Sequence, residues 1–66
     1  MTTMLEHQKL ILTKVSHDKG MFRKEIIKSL RWLKSYEIIN LRMWLKKNYG
    51  NKHAETIREV FEHIAA

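Results

Sequence analysis

The sequence predicts an all-α protein, a compact bundle of four short helices, on three observations. Apolar residues recur with a 3.6-residue period in every segment, and no stretch shows the sustained alternation of a strand. There is no proline, and the two glycines, Gly20 and Gly50, fall between the periodic segments. A residue able to cap a helix (Thr3, Ser16 or Asp18, Ser35, Asn51) stands where each segment opens. With 66 residues the chain reads as one domain spanning 1–66, because dividing so small a core would leave each part below the size that folds alone.

The first helix is expected to start at Thr3, with Glu6 three residues on in capping-box position, and to run to about Ser16. Leu5, Leu12 and Val15 share one side, Ile11 lies beside them and Leu10 falls on the flank. His17 to Gly20 form the turn. The second helix, about Lys19 to Leu33, sets Phe22, Ile26, Leu30 and Leu33 on one stripe, broadened by Ile27. Lys34 and Ser35 interrupt the pattern, and Ser35 caps a third helix that ends near Tyr49, with Gly50 in the left-handed conformation that stops helices. Asn51 caps the fourth helix, where His53, Ile57, Val60, Phe61 and Ile64 form the inner face. Glu55, Arg58, Glu59 and Glu62 lie opposite, with Glu62 spaced to pair with Arg58.

Composition narrows the function classes. The absence of cysteine removes disulfides and thiolate metal sites, and no apolar run approaches the roughly 20 residues of a membrane span. A cytoplasmic protein is the expectation. The four histidines do not suit a metal: the nearest pairs, His7 with His17 and His53 with His63, are ten residues apart. Ten helical positions separate two side chains by about 80° in azimuth and about 15 Å along the axis. His53 reads as a residue at the edge of the core, and His63 suits the C-terminal end of its helix. Ser16, Ser29 and Ser35 lack a nucleophile elbow or a neighbouring His and Asp, and the isolated glycines cannot build a phosphate-cradling loop. Neither an enzyme nor a small-molecule substrate or cofactor is expected.

Charge and exposed apolar character point instead to binding. The net charge is +6, and it is unevenly spread. From Lys9 to Lys52 twelve Lys and Arg face three acids, giving +9, whereas residues 53–66 carry one Arg against three Glu. Lys24, Lys28 and Arg31 form a basic stripe at i, i+4 and i+7, suited to phosphates or an acidic partner and equally to a plain solvated face. A helix-turn-helix reader of DNA is disfavoured, because the third helix opens with Tyr36, Glu37, Ile38 and Ile39 where polar and basic side chains would be needed. Dispersal of the basic residues over several helices also argues against an amphipathic membrane-surface helix.

The third helix carries two apolar faces. Ile38, Leu41, Leu45 and Tyr49 form one, with Trp44 at its margin, and Tyr36, Ile39 and Met43 form a second, roughly opposite. Such a helix either lies at the centre of the bundle or presents its second stripe to another molecule. Trp32, off the Phe22 stripe of its own helix, joins Tyr36, Ile39 and Met43 as a candidate surface for self-association, as a homodimer, or for docking on a protein partner. Nucleic-acid binding through Lys24, Lys28 and Arg31 is the alternative.

Overall fold

The computed structural model describes residues 3–65, with side chains as far as Glu62. Four helices follow in order, α1 (Met4–Lys14), α2 (Lys19–Trp32), α3 (Ser35–Tyr49) and α4 (Ala54–Ala65), and the described residues contain no strand. The expected all-α bundle is the observed one. The side chains of His63 and Ile64, assigned above to a helix end and to the inner face, lie outside those described.

Helix starts follow side-chain chemistry where an acceptor is available. Thr3 Oγ1 accepts the Glu6 N–H at 3.1 Å, and Asp18 Oδ1 accepts the Met21 N–H at 3.1 Å, each satisfying a donor that the first turn leaves free. Asp18, rather than Ser16, is therefore the cap of α2, which starts at Lys19 as expected, so Gly20, also assigned to the turn, is already helical. The first two helices each end slightly short of the expected boundary, α1 at Lys14 rather than Ser16 and α2 at Trp32 rather than Leu33.

Three expected termini need correction. Ser35 is the first residue of α3 and not its cap; Lys34 holds that position with an extended backbone. Lys34 has no side-chain acceptor, so the compensation runs the other way, the Glu37 carboxylate accepting the Lys34 N–H at 3.0 Å. Gly50 is not left-handed: its φ of −60° and ψ of −25° are right-handed helical values. The chain winds on past it, and the His53 N–H reaches the Tyr49 carbonyl at 2.8 Å. Asn51 consequently does not open α4, which begins at Ala54 once the Ile57 N–H has found the His53 carbonyl at 3.0 Å.

The helices close a ring of contacts in the order α1, α2, α4, α3 and back to α1. Leu12, Phe22, Ile26, Leu33, Leu41, Leu45, Ile57, Val60 and Phe61 form one core, with Leu5, Val15, Ile27, Leu30, Ile38, Trp44 and Tyr49 packed around it. His53 is buried among them, its ring stacked 4.2 Å from Phe22 and its Nε2 2.7 Å from the Ser16 carbonyl. That bond ties α4 to the α1–α2 turn. The burial of three polar side chains, Gln8, Ser29 and Thr56, had no counterpart in the sequence pattern; Gln8 Nε2 donates to Ser29 Oγ at 2.6 Å, and the same hydroxyl donates to the Glu25 carbonyl at 2.8 Å. The expected Arg58–Glu62 pair is not formed, and the ion pair among the described residues is Lys28–Glu25 at 3.9 Å.

The molecule measures 31 × 29 × 19 Å. A helix with its side chains is about 10 Å across, so the short dimension holds two layers and every helix keeps a face to solvent. The position of α3 is decided by this thickness: no second layer covers its outer face.

Candidate functional site

The inner face of α3 is as the periodicity predicts. Leu41 and Leu45 are fully buried, while Ile38, Tyr49 and Trp44 pack at the edges of the core. Tyr49 meets Phe22 edge-on at 5.1 Å and Trp44 meets Tyr49 at 5.6 Å. On the side towards α1, Lys9 Nζ lies 5.8 Å from the Trp44 ring centre and donates to Asn40 Oδ1 at 3.4 Å. These contacts fix the rotation of α3 about its axis.

With that rotation set, the second stripe points outward. Tyr36 is 68 % exposed, Ile39 63 % and Met43 67 %. Spacings of three and four residues make them one continuous apolar strip along the helix. Basic side chains border it: Arg42 follows Ile39 by three residues, and Lys46 and Lys47 follow Met43 by three and four, all exposed. Isolated exposed apolar side chains are ordinary, but three in register on a helix whose other face is core make a patch.

Trp32, which the sequence groups with the α3 stripe, is the last residue of α2. It is 65 % exposed and lines an open cleft of about 620 Å³ with Met21, Lys24, Lys28 and Arg31. The structure thus brings the basic stripe and the tryptophan together on the outer face of α2. Glu25 stands at the same cleft, its Oε1 near Lys28 and its Oε2 buried without a hydrogen-bond partner.

A second depression, between α3 and α4, escaped the sequence reading. Arg42, Lys46 and Arg58 line it above Ile57 and Phe61, with the Arg42 guanidinium 5.6 Å from the Phe61 ring centre. The i, i+4 spacing of Arg42 and Lys46 was visible in the sequence; that Arg58 of α4 would face them was not, since helix adjacency is a tertiary property. Among the described residues no three His, Asp or Glu converge as metal ligands would. No described helix is long and apolar enough to cross a membrane.

No family model matches the chain, and comparison with curated proteins and with solved structures finds no similar protein.

Proposed function

We propose that the protein is a non-catalytic interaction module that self-associates as a two-fold dimer through the outer stripe of α3. The observation that supports this reading is the near two-thirds exposure of Tyr36, Ile39 and Met43 on the face of α3 opposite the core. An unpartnered apolar strip of this kind gains free energy when a matching strip removes it from water. A second copy supplies such a match because a two-fold interface sets the same surface against itself.

Antiparallel pairing suits the residues best. With the axis between Ile39 and Met43, each Met43 packs on the other copy's Ile39, and each Lys46 approaches the other copy's Tyr36 ring, where a cation is favourable. Pairing two 15-residue helices covers less than the roughly 1,600 Å² of a standard interface, so the association is weak. Two subunits of charge +6 also repel. Added salt screens that repulsion and should tighten the dimer, whereas docking on an acidic protein would loosen with salt.

Light scattering between about 20 and 500 μM, at low and at moderate salt, tests the proposal. The expected result is a mass rising towards the dimer with concentration and with salt. Ile39→Glu should hold the protein monomeric and folded, because that side chain is exposed in one protomer but buried near the axis of two. A monomer mass throughout would overturn the reading.

A further inference from the structure

We infer that the outer face of α2 is a binding site for single-stranded nucleic acid, with Trp32 as the stacking surface and Lys24, Lys28 and Arg31 as the phosphate contacts. The proposal rests on their meeting in one open cleft, not on the total charge. Arg31 stands seven positions beyond Lys24, about 10 Å along the helix axis, enough to follow a short run of phosphates. The indole stands at the C-terminal end of that row, 65 % exposed, and the cleft also holds the exposed thioether of Met21. An aromatic face beside a basic track is the arrangement that binds strands whose bases are unpaired, since a base can leave the track and stack.

The choice of single strands over duplex follows from the same geometry. A duplex offers its phosphates but keeps its bases stacked on one another, so Trp32 would gain nothing from it. An acidic polypeptide would satisfy the three cations but carries no series of bases for the indole. Salt and the tryptophan together therefore separate the occupants.

Glu25 limits the site in a specific way. Its carboxylate lies at the cleft with Oε1 3.9 Å from Lys28 Nζ, and its side chain is only 19 % exposed, so its negative charge is poorly screened where a phosphate would lie. Glu25→Gln removes that charge while keeping the shape of the side chain. Binding of a polyanion to the cleft should tighten.

The test uses the intact protein and a fluorescein-labelled oligothymidylate of about 15 nucleotides, followed by anisotropy, with a duplex and poly-glutamate of similar length as controls. The single strand should bind best and quench Trp32 emission, a signal absent in Trp32→Phe against the constant background of Trp44. Trp32→Ala should weaken single-strand binding about tenfold and leave duplex binding unchanged, with Trp32→Phe recovering most of the loss. Replacing Lys24, Lys28 and Arg31 by Gln should reduce the slope of log affinity against log salt by about 2, as loss of three phosphate contacts on a single strand requires. Glu25→Gln should raise affinity several-fold. Ile39→Glu should change none of this, because the α3 stripe is not part of the cleft, so the present inference and the dimer proposal fail separately. Equal affinity for duplex, single strand and poly-glutamate, no effect of Trp32→Ala, or no binding at low salt would each overturn the site.

Discussion

Gly20 and Gly50 look alike in the sequence, each an isolated glycine between periodic segments, yet the structure gives them opposite roles. Neither has a positive φ. A Cβ added at Gly20, in the first turn of α2, would meet only Asp18 Oδ1 at 3.5 Å, an ordinary contact. Gly20→Ala should therefore stabilise the protein by about 0.5–1 kcal/mol, through lower chain entropy in the unfolded state and better helix propensity. A Cβ at Gly50 would run into the Lys46 carbonyl oxygen, backbone that has no freedom to swing aside. Gly50→Ala should cost about 1–3 kcal/mol, the usual penalty of forcing atoms into filled space. Urea denaturation of the two variants checks both signs. A stable Gly50→Ala protein would show that the α3–α4 junction tolerates a shift. The sequence pointed to Gly50 as a special position but for the wrong reason: composition signals a glycine requirement, whereas close approach and a left-handed backbone are told apart only by coordinates.

Between elements, the most specific tie is the buried bond from Gln8 on α1 to Ser29 on α2. Ser29 is fully buried and Gln8 is 5 % exposed, so neither group can fall back on water. Ser29→Ala should leave the Gln8 amide without its acceptor and cost about 1–3 kcal/mol, while Gln8→Leu combined with Ser29→Ala should recover part of that loss, both polar groups being gone. Thermal and urea melts of the single and double variants measure the coupling; additive effects would mean the pair acts independently. The sequence placed both residues on helices but not against each other, because 3.6-residue periodicity ranks apolar positions and passes over a Ser inside an apolar stripe. The two faces of α3 show the opposite case. Their existence was legible from residue spacing alone, and Leu41 and Leu45 fell where the spacing put them. Whether the second face met another helix depended on how many layers the molecule has.

For the whole molecule, the charge is high and little of it is paired. One ion pair, Lys28–Glu25 at 3.9 Å, links the described side chains, so salt has little attraction to screen and much repulsion. The melting temperature of the monomeric Ile39→Glu variant should rise with salt from low ionic strength to about 0.3 M, by a few degrees. A fall would mean that attractive charge networks outweigh the net repulsion. Using the variant keeps folding separate from the salt dependence of association.

The linear sequence by itself determined the helical class, the number of helices, the inner faces and the concentration of positive charge between Lys9 and Lys52. Each of these depends on neighbours within a turn or two along the chain. Tertiary structure alone decided that α3 lies in a two-layer molecule with its second stripe uncovered and that Arg58 faces Arg42 and Lys46; Trp32, by contrast, adjoins Lys24, Lys28 and Arg31 through its i+8, i+4 and i+1 spacing on one helix. The physical reason is common to the two tertiary features. A surface forms from residues that the packing of helices brings together, and that packing is set by the fit of one inner face against another, not by the spacing within either.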